Sequence, residues 1–391
     1  MKTTKKQKNI PDGWKYTRLG EIGNAYIGLT YSPRDVSDSG TLVLRSSNIK
    51  AGKISYLDTV FVKKNDISHK NIVQEGDILI CARNGSKRLI GKNALIKKAD
   101  SGHAFGAFMS VFRTENYKYI YQLFQSQLYK REIERDLGPT INQVTTGNLL
   151  KFKFIFPPLP EQNRIVAILE TWDSGIEKLK QKIAIKKEIK KGLMQELLTG
   201  KKRLPGFDGE WKNYEIGNVL DYEQPTNYLV SSTDYSNEFK TPVLTAGKTF
   251  LLGYTAEKDG LYDKGPVIIF DDFTTANKYV DFEFKVKSSA MKMLTAKEGF
   301  NLEYLFERMQ LLNLPSGEHK RRYLSEYQYL ACKIPSKTEQ DAITEITTSA
   351  KKEITNLESK LKYWQEQKKY LLNNLVTGQI RTPENLLETI N

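Results

Sequence analysis

The sequence predicts an α+β protein in which two repeated mixed α/β blocks are separated by two long helices that form an antiparallel coiled coil. Three observations support this fold class. Groups of residues recur at fixed offsets along the chain, and two long segments carry apolar residues in heptad spacing. The segments between them contain short apolar runs bounded by turn-forming residues, which is typical of strands.

The composition describes a folded chain with a basic surface. Of the 391 residues, 39% are hydrophobic and 27% are charged, which is enough for a core and allows two to four domains. Lys and Arg number 60 against 46 acidic residues, giving a net charge of +14. A surplus of this size indicates a polyanionic partner, most often nucleic acid, and the alternative is a basic but inert surface.

Cysteine use and apolar runs limit the compartment. Cys81 and Cys332 lie far apart and in no paired motif, so neither a disulfide framework nor a thiolate metal site is predicted. The segment Met1–Lys8 is polar and basic, unlike a signal peptide, and no run has the ~18 apolar residues of a membrane span. We therefore expect a cytoplasmic protein.

The chain contains an internal repeat with two different offsets. At an offset of 197 positions, Trp14-Lys15 matches Trp211-Lys212 and Leu19-Gly20 matches Ile216-Gly217. At an offset of 178 positions, Glu161-Gln162 matches Glu339-Gln340, Thr199-Gly200 matches Thr377-Gly378, and Arg203 matches Arg381. The repeating unit is therefore a variable block followed by a helix, and the second block is the shorter one.

Both helices carry a coiled-coil seam. The first, over 161–199, has the seam Ile165, Leu169, Trp172, Ile176, Leu179 and Ile183 and ends before Gly200. The second has the seam Ile354, Leu357, Leu361, Trp364, Leu371 and Leu375, starts with the capping-box spacing Ser336 and Glu339, and ends before Gly378. We expect the helices to pair antiparallel. The alternatives are that each packs on its own block or forms a homodimer seam.

The blocks are predicted as mixed strand and helix. The first has strands at Leu42–Leu44, Ile78–Ile80 and Met109–Phe112 and a helix at 117–135. The second has strands at Val267–Phe270 and Phe282–Val286 and a helix at 301–312. The predicted domain organisation is a basic tail 1–10, a first block 11–157, a spacer helix 158–202, a second block 203–335, a C-terminal helix 336–380 and a tail 381–391.

Polar and basic clusters at strand ends and in loops are the candidate DNA contacts. Arg, Lys, Asn and Gln can bind base edges bidentately or contact phosphates. For any one of these residues an ordinary solvated loop is the alternative. In the first block they are Arg45, Ser46, Asn48, Lys50, Arg83, Asn84, Ser86, Lys87, Arg88, Asn142 and Gln143, and in the second Thr245, Lys248, Asp272, Thr274, Lys320, Arg321 and Arg322. At the 178 offset Gln143 falls opposite Arg321, so loops of different sequence occupy the same place in the repeat.

No catalytic or metal-binding constellation is predicted. Gly247-Lys248-Thr249 is not a phosphate-binding loop, because Pro242 stands where that motif requires glycine. The three histidines have no ligand spacing. Asp272, Glu283 and Lys285 faintly resemble a magnesium nuclease site, in which carboxylates hold the metal. They supply the enzymatic alternative.

The combined pattern resembles the specificity subunit of type I restriction–modification systems. The resembling stretches are Trp14-Lys15 with Leu19-Gly20, the run Leu44 to Ile49, Gly76 to Ile80, and above all Pro157-Pro158-Leu159-Pro160-Glu161-Gln162 before a long helix that ends Leu197-Leu198-Thr199-Gly200. The second copy departs, reading Ile334-Pro335-Ser336-Lys337-Thr338-Glu339-Gln340. The resemblance covers nearly the whole chain.

The resemblance implies two target recognition domains, each reading one half of a bipartite, asymmetric site in double-stranded DNA, with the helices fixing the gap. It implies a non-catalytic subunit in a bacterial or archaeal cytoplasm. Its partners would be modification (methyltransferase) and restriction (translocase and nuclease) subunits. S-adenosylmethionine, ATP and magnesium would then be held by those partners, and this chain would hold no cofactor. The alternatives are a magnesium-dependent nuclease and a coiled-coil protein that binds DNA without sequence preference.

Overall fold

The structure, a computed structural model, describes residues 10–63, 67–138, 142–247, 249–312 and 321–386. The chain packs into two compact units, which divide after Lys180 and again after Ser359. Unit 1 comprises the described residues up to Lys180 together with those from Lys360 onward, and unit 2 runs from Gln181 to Ser359. Each unit therefore contains one variable block, the start of the long helix that follows it and the end of the other long helix. The domain ranges given above stay predictions, since this division cuts both long helices.

Unit 1 is built on two four-stranded sheets and two small strand pairs. Its strands are β1 Lys15–Arg18, β2 Asn24–Ile27, β3 Val36–Ser37, β4 Thr41–Leu44, β5 Ile49–Lys50, β6 Lys53–Ile54, β7 Phe61–Val62, β8 Ile78–Cys81, β9 Asn93–Leu95, β10 Ala104–Phe105, β11 Met109–Arg113 and β12 Lys153–Phe156. The sheets have the orders β2-β11-β8-β9 and β10-β4-β7-β3, and β1 pairs with β12 as β5 does with β6. Its helices are α1 Tyr117–Gln125, α2 Gln127–Asp136, α3 Thr146–Lys151 and the first part of α4 Leu159–Leu197.

Unit 2 repeats this frame with a shorter block. Its strands are β13 Lys212–Glu215, β14 Leu220–Glu223, β15 Thr241–Leu244, β16 Leu251–Thr255, β17 Val267–Asp271, β18 Asn277–Val280, β19 Lys285–Val286, β20 Met291–Ala296 and β21 Ala331–Ile334. Its helices are α5 Ile216–Val219, α6 Leu302–Met309 and α7 Lys337–Leu375, of which the last part belongs to unit 1. The sheet order β14-β20-β17-β18 corresponds to β2-β11-β8-β9, and the pair β13-β21 corresponds to β1-β12. The predicted α+β fold with two repeated blocks and two long helices is confirmed.

Two predicted elements of the blocks are corrected. The predicted helix 117–135 is two helices, because Ser126 has extended backbone angles and its hydroxyl accepts a hydrogen bond from the Tyr129 N–H, capping α2. The predicted strand Phe282–Val286 is reduced to Lys285–Val286. The long helices begin and end within two residues of their predicted bounds.

The long helices run antiparallel inside each unit. In unit 1, Ile165 and Leu169 near the start of α4 share a core with Leu372 and Leu375 near the end of α7, whereas Trp172 meets Trp364 at 6.0 Å between ring centroids. In unit 2, Lys186 pairs with Glu353 at 2.9 Å, and Leu197, further along α4, shares a core with Ile343, nearer the start of α7. The predicted antiparallel pairing is confirmed within each unit.

A buried glutamate at the start of each long helix joins three parts of its unit, and we call this set the Trp–Glu–Arg junction. In unit 1, the Glu161 carboxylate accepts hydrogen bonds from Trp14 Nε1 at 2.9 Å and from Arg381 Nε and Nη2 at 2.7 and 2.9 Å. In unit 2, Glu339 accepts from Trp211 at 3.2 Å and from Arg203 at 2.7 and 2.8 Å. Both carboxylates are almost completely buried. Each junction ties the start of a block to the helix that follows the block and to the residues just past the end of the other helix.

Glycine ends each long helix because the backbone there is left-handed and neighbouring side chains crowd the position of a Cβ. Gly378 has a φ of +68°, and a Cβ there would lie 2.4 Å from Pro11. Gly200 has a φ of +72° and lies against the Trp211 ring. The predicted glycine caps are confirmed. At the start of α7, the Glu339 N–H donates to Ser336 Oγ at 3.4 Å, but the Glu339 carboxylate binds the junction partners, so only half of the predicted capping box forms.

We predict that Glu161→Gln lowers the free energy of unfolding by about 2 kcal/mol, because an isosteric amide loses the charge that Arg381 and Trp14 solvate in a buried site. Urea denaturation of the full chain, followed by tryptophan fluorescence, measures the change. The control is Glu170→Gln, which removes a half-exposed pair with Lys118 and should change stability by less than about 0.5 kcal/mol. Equal effects of the two substitutions would contradict a structural role for the junction.

The stability difference between wild type and Glu161→Gln should also depend on pH. Burial alone would raise the pKa of Glu161, but the hydrogen bonds from Arg381 and Trp14 outweigh it and lower the pKa. A carboxyl whose pKa is lowered by folding contributes stability above its unfolded pKa, and this contribution is lost as pH falls through the folded pKa. The difference between wild type and Glu161→Gln should therefore shrink from neutral to acidic pH.

Candidate nucleic-acid interface

Three polar segments that are distant in the sequence meet in unit 1. They are the loop that begins at Arg45 after β4, the loop that begins at Ala82 after β8, and the segment 142–144 before α3. Asn84 Nδ2 donates to Ser46 Oγ at 3.2 Å, and Asn142 Nδ2 donates to the Gly85 carbonyl at 3.2 Å. Arg83 also forms an isolated antiparallel bridge with Gln143. All three predicted clusters of the first block are thus adjacent.

The meeting point is a cavity of about 700 Å³, which we call the arginine cavity. Polar side chains from the loops after β4, β6 and β8 line it together with apolar side chains. The polar residues are Arg45, Ser46, Ser47, Asp58, Arg83 and Asn84, and the apolar residues include Leu29, Tyr31, Val36, Phe108 and Met109. Phe108 is 59% exposed and Val36 is 47% exposed, so these two apolar lining residues are accessible to solvent. A lining that combines hydrogen-bond donors with an exposed aromatic ring suits a planar ligand that has polar groups at its edge.

The two arginines of the cavity are held differently. Arg45 Nη2 binds the Asp58 carboxylate at 2.7 Å, and the Arg45 N–H donates to Asn48 Oδ1 at 2.8 Å. The Arg83 guanidinium lies over the Phe108 ring at 5.2 Å from its centroid. Because its Nη2 is bound, Arg45 is oriented by charge, whereas Arg83 is oriented by stacking.

A second cavity of about 500 Å³ lies beside the first and is basic. Its lining includes the cations Lys87, Arg88, Lys92 and Lys130, with Glu134 as the only carboxylate among the lining residues. Lys92 joins the two cavities, since its Nζ donates to the Ser46 carbonyl at 3.4 Å. We call this second cavity the lysine cavity. Its positive charge suits binding of phosphate oxygens.

Unit 2 places its loops on the same backbone frame. The Arg322 N–H donates to the Asp272 carbonyl at 2.8 Å, and in unit 1 the Val144 N–H donates to the Ala82 carbonyl at 2.9 Å. Val144 and Arg322 are 178 positions apart, the offset of the helices. The side chains differ. The loop after β17 is a tight turn in which Asp271 Oδ1 accepts from the N–H groups of Phe273 and Thr274.

Three of the predicted DNA contacts are buried and stabilise the loops instead. Asn48 is fully buried, and its Nδ2 donates to the carbonyls of Ser55 and Asp58. Asp272 is 1% exposed and accepts from the N–H groups of Arg322 and Tyr323. The Arg322 side chain is buried near Glu326. A direct contact of these three side chains with DNA is therefore not supported, because their polar groups lie inside the unit.

The other predicted residues divide by position. Arg45, Ser46, Arg83 and Asn84 line the arginine cavity, and Lys87 and Arg88 line the lysine cavity. Ser86 donates its N–H to Asn84 Oδ1, and Asn142 and Gln143 pair with the loop after β8. Lys50, Thr274 and Arg321 are exposed and are not among the lining residues of either cavity, and the Thr245 hydroxyl donates to the Thr249 carbonyl. Lys248 and Lys320 lie outside the described residues.

Sequence reasoning missed Phe108, Lys92 and Lys130. Phe108 stands in an apolar run next to the buried strand β11, and no pattern of hydrophobicity separates this exposed ring from its buried neighbours. Lys130 lies on the helix α2, where a lysine is usually solvated. Lys92, which follows Gly91 after the basic cluster 83–88, could have been added to that cluster.

The residues of the enzymatic alternative take part in separate contacts. Asp272 pairs with Lys292 at 3.3 Å, and Lys285 pairs with Glu257 at 2.8 Å. Within the ranges that the structure covers, no group of three His, Cys, Asp or Glu residues is arranged to hold a metal ion. The nuclease alternative is therefore not supported. None of the described helices has the length and apolar content required to cross a membrane.

Comparison with known proteins relates this repeated α+β frame to DNA specificity subunits of type I restriction–modification systems. Residues 11–189, which are less than half of the chain, match the family model "Type I restriction modification DNA specificity domain". Two solved structures share the fold. The HsdS subunit from Thermoanaerobacter tengcongensis has a TM-score of 0.51 at 18% identity, covering 96% of this chain and 100% of that one. The type I S subunit from M. genitalium has a TM-score of 0.59 at 15% identity, covering 95% and 97%.

The similar curated proteins are individual specificity subunits. The chain is 49% identical over 148 residues to the EcoR124I/EcoR124II specificity subunit of Escherichia coli, an alignment covering 36% of each protein. It is 28% identical over 215 residues to the EcoKI specificity subunit of Escherichia coli K12, covering 53% of this chain and 46% of that one. These alignments span less than half of either relative. The resemblance to type I specificity subunits seen in the sequence motifs is confirmed.

We predict that Asp272→Asn lowers the free energy of unfolding by about 3 kcal/mol, because it leaves the Lys292 ammonium, 1% exposed, without its carboxylate. Asn keeps the oxygen that accepts from the N–H groups of Arg322 and Tyr323, so the loop contacts survive. Adding Lys292→Met should recover part of the loss. Thr274→Ala, in the exposed turn beside it, should cost less than about 0.5 kcal/mol. A double variant no more stable than the single one in urea denaturation would contradict this assignment.

Proposed function

We propose that this chain is the sequence-specific DNA-binding specificity subunit of a type I restriction–modification complex. It reads a bipartite, asymmetric DNA site and serves as the scaffold for modification and restriction subunits. The observation that carries the proposal is the arginine cavity of unit 1, where two arginines, an asparagine and two serines from separate loops meet beside an exposed phenylalanine. The net charge of +14 supports a polyanionic ligand.

The asymmetry of the site follows from a shared frame with unlike loops. The loops after β8 and β17 make the same backbone hydrogen bond to residues 178 positions apart. The first loop presents Arg83 and Asn84, whereas the second is a turn that presents Phe273 and Thr274. Two readers of the same architecture with different side chains would bind different base sequences.

Exposed apolar side chains on the long helices support binding of partner subunits. Ile185 and Ile189 lie one turn apart on the unit 2 part of α4 and are 60% and 51% exposed. Tyr363 and Tyr370 lie two turns apart on the unit 1 part of α7 and are 58% and 59% exposed. We propose that modification and restriction subunits cover such faces. Those partners would supply S-adenosylmethionine, ATP and magnesium, and this chain would have no catalytic role.

We predict that exchanging residues 14–156 for the same block of another specificity subunit changes one half of the methylated motif and leaves the other half intact. Each block carries its own loops on its own sheets, so the half-sites should be independent. Methylation sequencing of a host that expresses the chain with its modification subunits gives the motif. Lys98→Ala, an exposed lysine outside both cavities, is the control for loss of charge. A change in both halves would overturn the modular reading.

We predict that Lys87→Ala with Arg88→Ala weakens binding to all duplexes by a similar factor. The lysine cavity is proposed to neutralise phosphates, and each lost phosphate contact lowers the slope of log affinity against log salt by roughly 0.9. The slope should therefore become less steep by about 1 to 2. Titrations at several salt concentrations measure it, with Lys98→Ala as the matched control. A wild-type protein whose affinity is the same on every sequence would instead support the coiled-coil protein without DNA specificity.

A further inference from the structure

The Arg83 guanidinium is held by stacking and donates to no acceptor among the residues that the structure describes. Other arginines of unit 1 bind carboxylates: Arg45 binds Asp58, Arg113 binds Asp77 and Arg381 binds Glu161. Arg83 stacks on the Phe108 ring, and within the described residues its side chain donates to no acceptor. Its backbone is fixed because the N–H donates to the Phe108 carbonyl at 3.0 Å and the residue bridges Gln143. Because its backbone is hydrogen-bonded and its guanidinium is stacked on a ring, Arg83 loses little conformational entropy when it binds a ligand.

Two further polar atoms of the arginine cavity lack partners. Arg45 Nε and Ser47 Oγ are buried without a hydrogen bond among the described residues. A buried polar group without a partner costs about 1–3 kcal/mol, so both atoms favour a ligand that accepts hydrogen bonds. Together with Arg83, their side chains add donors to the lining of the arginine cavity.

Asp58 and Asn84 are both engaged inside the unit. Asp58 binds Arg45, and Asn84 Oδ1 accepts from the Ser86 N–H while its Nδ2 donates to Ser46. The Asn84 amide is therefore oriented by its own loops, which leaves Arg83 as the side chain with both prongs available for a base. Guanine is the base whose major-groove edge offers two acceptors, O6 and N7. Adenine and cytosine present a donor there, and thymine presents a methyl group beside one acceptor.

We infer that Arg83, oriented by Phe108, binds O6 and N7 of a guanine in the half-site that unit 1 reads. The inference rests on the proposed function. It specifies one base of the half-site and the residue that selects this base. Phosphate oxygens share the acceptor chemistry, but the exposed apolar side chains of Phe108 and Val36 suit contact with a base, whereas the cations of the lysine cavity suit phosphates. The test separates these two sources.

The experiment uses the full chain copurified with its modification subunits and a duplex carrying the methylation motif of the host. Each guanine of the unit 1 half-site is replaced in turn by 7-deazaguanine, which lacks N7, or by hypoxanthine, which keeps both O6 and N7. For wild type, one 7-deazaguanine position should weaken binding roughly 10- to 100-fold while hypoxanthine there has little effect. Arg83→Ala should lose the same factor on the unmodified duplex and show no further loss with 7-deazaguanine.

Two variants make the result specific. Arg83→Lys keeps the charge but not the two-pronged geometry, so it should keep the salt slope and lose the sensitivity to 7-deazaguanine. Lys98→Ala should keep both. The inference is overturned if the half-site has no G·C pair, if no guanine position is sensitive, or if Arg83→Ala remains sensitive. A loss that is equal on all sequences, with a lower salt slope, would make Arg83 a phosphate contact and also overturn it. Wild-type binding without any sequence preference would instead refute the proposed function.

Discussion

The buried glutamate of each Trp–Glu–Arg junction is the interaction on which the rest of the structure depends. Glu161 lies at the start of a helix, and its two partners come from opposite ends of the chain. A buried carboxylate is tolerated only when charge and hydrogen bonds compensate it, so the three parts must meet for any of them to be stable. The junction therefore fixes where the block begins relative to both helices, and the sheets that hold the loops are built from that point.

Much of this frame could be predicted because it repeats. Trp14 and Trp211 follow one offset, whereas Glu161 and Arg381 follow the other, and the glycine caps follow the helices. The sequence alone could not show that these matches are contacts. The pairing of Trp14 with Glu161 is an outcome of tertiary folding, as is the break at Ser126, where a local cap overrides a helical pattern.

The candidate site was predicted as clusters and was only partly resolved into residues. Polar loops at strand ends are a sound signal, and Arg45, Ser46, Arg83 and Asn84 do line one cavity. Burial, which the sequence does not show, determines whether the other candidates can reach DNA. Asn48 and Asp272 have side chains that could contact bases, but both are buried and form hydrogen bonds with backbone groups of their unit. Phe108 was missed for the opposite reason, since an exposed aromatic looks like a core residue in the sequence.

The division of the chain has a consequence for synthesis on the ribosome. Unit 2 is one continuous stretch from Gln181 to Ser359, whereas unit 1 needs residues from both before Lys180 and after Lys360. Because Arg381 follows unit 2 in the sequence, Glu161 lacks this partner until all of unit 2 has been translated. Unit 2 can therefore be complete while unit 1 still lacks the Arg381 contact of its junction, so the two units become complete in the reverse of the order in which they begin.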